Sequence, residues 1–156
     1  MRPKMTRAGD DLAAWALAYA RRGIPVLPLS GKLPRIPSDK GGTGVHDATT
    51  DLDQIRAWWR RWPHANIGLR CGIIFDVIDV DGQQGHHSLQ QFLADHAQPH
   101  IGGPRVRTGS GGWHLYVTPT QMPDQIGVLH HVDYRAADRY VVAPPSRHPK
   151  TRQRYS

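Results

Sequence analysis

The chain of 156 residues contains no glutamate. Its 13 acidic side chains are all aspartates, so any carboxylate chemistry has to come from them. There is one cysteine, Cys71, which excludes an internal disulfide framework and any zinc ribbon or finger. Ten histidines leave room for metal chemistry, but no His-rich tract carries a zinc spacing. No apolar run approaches the ~20 residues a membrane span needs. The basic start, Met1-Arg2-Pro3-Lys4, lacks the apolar core of a signal peptide. A cytoplasmic protein without membrane contact is therefore the default expectation. Apolar content is low at 38%, yet the length suffices for one domain with a core of its own.

What the chain does have is positive charge. Twenty Lys and Arg give a net charge of +7 and a pI near 10.1. An excess of this size fits a nucleic-acid partner or a polyphosphate substrate. Thirteen prolines and 16 glycines indicate many turns and irregular loops.

Residues 1–9 read as a flexible end and 10–156 as one domain. Asp10 or Asp11 caps a helix running to Arg22, with Leu12, Trp15, Ala16 and Tyr19 at helical spacing. Residues 24–29 carry Pro25 and Pro28, which suggests an edge or short strand. The stretch from Ser30 to Thr49 is loop-like, long for a compact domain, and bears Lys32, Arg35 and Lys40. A second helix opens at Thr50–Asp53, with Thr50 and Asp53 at capping-box spacing. Its apolar side is Ile55, Trp58, Trp59 and Trp62, and its exposed side Arg56, Arg60 and Arg61. Strands are expected at 67–69, 73–80, 105–108, 113–118, 131–135 and 139–143, with a third helix near 86–96. This order predicts an α/β (α+β) fold.

Three motifs carry chemistry. The first is Asp79-Val80-Asp81, at the end of the most hydrophobic stretch of the chain. Strand residues two apart share a face, so both carboxylates project together before Gly82. Two acids that close repel unless a cation lies between them, and oxygen ligands suit Mg²⁺ or Mn²⁺. Asp76 falls on the opposite face. The second is Arg107-Thr108-Gly109-Ser110-Gly111-Gly112-Trp113-His114-Leu115-Tyr116, a Gly-rich turn into a strand whose backbone N–H groups and Ser110 hydroxyl can surround an anion. The third is Val132-Asp133, a further acid on a late strand, followed by Arg135 and by the rigid Pro144-Pro145-Ser146 turn.

In this order the motifs resemble those of the N-terminal domain of bifunctional primase–polymerases, within the archaeo-eukaryotic primase superfamily. That family carries a DxD/E motif, an SxH motif and an hD motif. Flanking segments are similar too: Gly31-Lys32-Leu33-Pro34, Asp47-Ala48-Thr49-Thr50-Asp51, Ile55-Arg56-Ala57-Trp58-Trp59, Trp62-Pro63, Asn66-Ile67-Gly68 and Pro144-Pro145-Ser146. The resemblance covers residues 12–155. It implies a small αβ unit beside an RRM-like unit with a mixed sheet, and an active site in the cleft between them. It implies further elements after Pro144-Pro145-Ser146, so the chain reads as a compact or C-terminally truncated version.

The function implied is a template-directed nucleotidyltransferase, a DNA primase/polymerase adding nucleotides to a primer 3′-hydroxyl in replication of DNA, such as that of a phage, plasmid or mobile element. Asp79, Asp81 and Asp133 would be catalytic and hold Mg²⁺ or Mn²⁺. Ser110, Gly111, Gly112 and His114 would bind the nucleotide triphosphate, with Lys32 and Arg135 as further phosphate ligands. The partners implied are single-stranded or primed DNA, dNTP or NTP, and a helicase or other replication module. Arg56, Arg60, Arg61, Arg147, Lys150, Arg152 and Arg154 are candidates for backbone contacts, and Trp58 and Trp59 for base stacking. Primer extension is a safer expectation than unaided priming. Two other readings stay open: a catalytically inactive module that binds single-stranded nucleic acid, and a metal-dependent nuclease.

Overall fold

The computed structural model describes residues 11–156. The expected flexible end at 1–9, and Asp10 as a cap, lie outside the described residues. Asp11 is the cap of the first helix, α1 (Leu12–Arg21), and accepts a hydrogen bond from Ala14 N at 3.0 Å. Gly23, at φ +79°, follows its end. The buried residues of α1 are Ala16 and Ala20, one turn apart, so small side chains let the helix approach its neighbours closely. Trp15, expected on that face, is instead exposed.

The chain continues through β1 (Val26–Ser30), β2 (Leu33–Pro34), α2 (Leu52–Arg61), β3 (Asn66–Arg70), β4 (Asp76–Val80), α3 (Gly82–Asp95), β5 (Arg105–Arg107), β6 (Trp113–Val117), β7 (Gln125–Leu129), β8 (Val132–Arg135) and β9 (Tyr140–Ala143). The cap of α2 is Asp51 rather than Thr50: its carboxylate accepts from Asp53 N and Gln54 N, satisfying two N–H groups of the first turn. Two short 3₁₀ turns, Ser38–Lys40 and Gly44–Asp47, interrupt the long loop.

Two sheets form, ordered β2-β1-β3-β9 and β5-β6-β4-β8-β7. β1 lies inside the first sheet and not at its edge. It accommodates Pro28 because β2 pairs only with Leu29 and Ser30, while the Pro28 carbonyl accepts from Arg35 N. Every ladder between these strands is antiparallel, where a mixed sheet is expected. The reason is topological. β4 and β5 flank the helical crossover α3 and run the same way, but β6 folds back between them and separates them.

Helices α1 and α2 cover one face of the first sheet. Ile55, Trp58, Trp59, Ile67, Leu69 and Val141 are buried there. Both Trp58 and Trp59 belong to this core, and Trp59 Nε1 donates to Ala65 O, so neither is placed to stack on a base. Helix α3 covers one face of the second sheet through Leu89, Leu93, Val80, Leu115 and Val132. The alternation along β4 is decisive. Val80 joins the α3 core, whereas Val77 joins the core under α1 and α2. Asp79 shares the face of Val77, opposite α3. Ile73 and Ile74 precede the strand and are about half exposed.

Asp76 has a structural place. It is 1% exposed, and its Oδ2 accepts from Thr120 N at 3.0 Å and Tyr134 Oη at 2.6 Å. These bonds tie β4 to β8 and to the segment before β7.

Candidate active site

Pairing of β4 with both neighbours sets Asp79 opposite His114 on β6 and opposite Asp133 on β8. Residues directly across an antiparallel ladder present side chains on the same face. His114, Asp79 and Asp133 therefore form a row across the middle of the second sheet. Asp81 stands at the N-cap of α3, but its carboxylate makes no capping bond. It lines a pocket of about 290 Å³ together with Lys32, Asp79, Ser110, His114 and Asp133. Six of the nine sequence-predicted site residues thus share one pocket. Arg135 lines an adjoining cavity of about 500 Å³, with Lys32, Asp79 and His114. Gly111 and Gly112 shape the turn that carries Ser110.

That turn is tied tightly. Thr108 N donates to Gly112 O and Gly112 N donates to Thr108 Oγ1, each at 2.9 Å. Thr108 Oγ1 also lies 3.2 Å from Ser110 Oγ. A side chain at Gly112 would overlap the carbonyl oxygen of Val80, the residue between Asp79 and Asp81. The missing Cβ is what lets the Gly-rich turn lie against the end of that strand.

The electrostatics are uneven. Burial pushes the Asp79 carboxyl up to about 6; Arg135 opposes the rise, Asp133 and Asp81 add to it, and Lys32 opposes it. Among the described residues no N–H or O–H group donates a hydrogen bond to the Asp79 or Asp81 carboxylate. Asp133 differs, because its Oδ1 accepts from Gly127 N at 2.7 Å and its Oδ2 from Arg135 at 2.8 Å. Arg135 is held in turn by Asp124, at 3.5 Å. His114 Nε2 lies 3.5 Å from Asp79 Oδ1. Burial, with Lys32 and Arg135 nearby, pulls this imidazole down to about 4, so at neutral pH the contact is dipolar and not an ion pair. Among the described residues, His114 Nδ1 is buried without a partner.

Sequence reasoning missed Tyr155, Thr108 and His131, which line the same pocket. Thr108 lies inside the second motif and His131 adjoins the third, so both were within reach. Nothing local marks Tyr155. It arrives because the C-terminal segment returns: Tyr155 N donates to Ser146 O, and Ser156 pairs with Arg107 on β5. Its ring centroid lies 5.9 Å from that of His114, and burial, with Asp79 nearby, pushes its hydroxyl up to about 12.

Residues 16–156 match the family model of the bifunctional DNA primase/polymerase N-terminal domain. The chain belongs to this family. No curated protein matches it. Membership in the Prim-Pol family supports a nucleotidyltransferase of the primase/polymerase type in general, for which DNA template and nucleotides are the implied substrates. The three motifs of the Prim-Pol resemblance are the three segments that meet at the pocket. No helix of the described residues is long and apolar enough to cross a membrane.

Prim-Pol domains are in general dependent on divalent metals. Among the described residues, no three His, Cys or Asp side chains gather closely enough to hold a cation between them. The donor chemistry nevertheless fits one. Asp79 and Asp81 present oxygens with no donor among the described residues, and a carboxylate accepts at about four sites, which leaves Asp133 capacity beyond its two bonds.

Proposed function

We propose that the chain is a template-directed nucleotidyltransferase that extends the 3′-hydroxyl of a DNA primer. The observation that carries this reading is the row His114–Asp79–Asp133, with Asp81 and the Ser110 turn at its end. Asp79, Asp81 and Asp133 would hold Mg²⁺ or Mn²⁺. Bound there, such ions supply activation of the attacking hydroxyl and neutralisation of the leaving pyrophosphate. Ser110 and the N–H groups of the Gly-rich turn bind and orient the triphosphate. His114, neutral at physiological pH, adds a dipole without adding charge. Lys32, on the turn between β1 and β2, brings a positive charge to the phosphates, while its backbone carbonyl is fixed by Tyr140 Oη at 2.8 Å.

Arg135 acts mainly on Asp133 and the field of the site, since its guanidinium nitrogens face Asp133 and Asp124. Replacing Arg135 with alanine is expected to raise the Mn²⁺ concentration for half-maximal activity by about 10- to 100-fold, the range for removing a residue that orients a ligand. Arg135→Lys should recover only part, because a point charge cannot hold both acids as a planar fork does. A metal titration of activity, with melting temperature measured in parallel, separates this from simple destabilisation.

The direct test is incubation with a labelled primer–template, nucleotides and Mn²⁺. Template-dependent lengthening, and an unchanged primer when nucleotides are omitted, is the expected result. Shortening without nucleotides would establish the nuclease reading instead. Binding with no change in length would establish an inactive binding module.

A further inference from the structure

A second cavity, of about 1020 Å³, is distinct from the acid pocket and shares no lining residue with it. It is a groove at the end of the first sheet, between the C-terminal end of α2, the segment after β2 and the turn around Arg152. Arg35, Arg61 and Arg152 line it and are exposed, with Arg147 beside them. Its one acid among the described residues is Asp11, whose carboxylate is already engaged as the cap of α1. Half-buried Trp62 lies within the groove. The guanidinium carbons of Arg35 and Arg61 stand 5.3 and 4.9 Å from the centroid of its ring.

We propose that this groove binds single-stranded nucleic acid as a track separate from the catalytic pocket, an inference that rests on the nucleic-acid partner of the function proposed above. Three features select that occupant. The guanidinium groups match a row of phosphates in charge. The Trp62 indole and the two guanidinium groups over its ring combine π surface with positive charge, a pairing suited to unpaired bases and the phosphates beside them. The wall of the groove is also preformed and points toward the site. Asn66 Nδ2 donates to Gly31 O at 2.9 Å and to Arg147 O at 2.7 Å, and Arg147 N donates to Asn66 Oδ1 at 3.1 Å. This clamp joins the start of β3, the segment after β9 and the turn whose next residue, Lys32, lines the acid pocket. A strand held in the groove therefore passes the rim of that pocket.

The test compares two double variants that remove the same charge. Arg35→Ala with Arg152→Ala lies in the groove; Arg56 and Arg60, which the sequence also offers as backbone contacts, lie on the exposed side of α2 outside it, and Arg56→Ala with Arg60→Ala is the comparison. Affinity for a labelled oligothymidine is measured by anisotropy over a salt series, without nucleotide or metal, so the result does not depend on turnover. The groove pair is expected to weaken binding by about tenfold or more. The slope of log K against log salt should fall by roughly 1.4, two phosphate contacts at about 0.7 each. The outside pair should stay within about twofold of wild type. A duplex of equal length should respond less than the single strand. Incorporation at saturating primed template should persist in the groove variant, which separates loss of this track from loss of the catalytic site. Equal weakening by both pairs, no weakening by the groove pair, or equal losses for single and double strands would overturn the assignment.

Discussion

Changing Asp79 and Asp81 together to alanine is expected to lower metal-dependent nucleotide incorporation by at least about a thousandfold, since bound metals contribute several kcal/mol to such transition states. The same variant should bind single-stranded DNA at least as well as wild type, because two negative charges leave a basic protein. It should also melt at the same temperature or higher. Asp79 is pushed up to about 6 chiefly by burial, and no N–H or O–H donor among the described residues compensates it, so its ionised form is held at a cost to the fold. Loss of activity with retained binding and undiminished stability is the pattern of a site selected for chemistry and not for packing. Incorporation at the wild-type rate would remove both aspartates from the mechanism.

Gly112→Ala should have the second-largest effect, and on stability as well as activity. The added Cβ overlaps Val80 O and would come within 3.2 Å of Gly82 N and 3.3 Å of Thr108 Oγ1. The turn cannot simply move away, because both backbone groups of Gly112 are bonded to Thr108. Overpacking of this kind costs about 1–3 kcal/mol. Relief by displacement of the turn would separate Ser110 from the Asp79–Asp81 pair, so nucleotide affinity should fall along with the denaturation midpoint. Gly111→Ala is the informative contrast. Its φ is +92°, yet a Cβ there meets nothing within 4 Å. It should carry backbone strain of about 1–2 kcal/mol while leaving the turn seated on β4. Equal loss of nucleotide affinity in both variants would argue against the close approach at Gly112 as the reason for that glycine.

The acid and glycine motifs were legible because their chemistry is local. Two aspartates two apart on a strand need no tertiary information to share a face, and a Ser-Gly-Gly turn announces an anion site by composition. Their convergence was not legible from period alone. It depends on β6 folding back beside β4 and on β8 taking the other side, and only the ordered family resemblance anticipated that these segments belong together. β7 was missed because its residues are largely exposed and Gly127 breaks its alternation, so no periodic apolar signal survives. The shift of the α2 cap from Thr50 to Asp51 is a one-residue choice between adjacent capping side chains. Tyr155 was out of reach for a different reason. Its burial depends on pairing between the last residues and β5, a contact spanning nearly 50 positions of sequence. The engagement of Arg135 with Asp133 and Asp124 likewise becomes visible only once β8 and the segment before β7 are side by side.

The most direct measurement of the central claim is a crystal structure with a nonhydrolysable nucleotide and Mn²⁺, using anomalous scattering to locate the metal. The account predicts Mn²⁺ on the carboxylates of Asp79 and Asp81, with the triphosphate against the Ser110–His114 turn. Metal away from both aspartates, together with a triphosphate bound elsewhere, would contradict it.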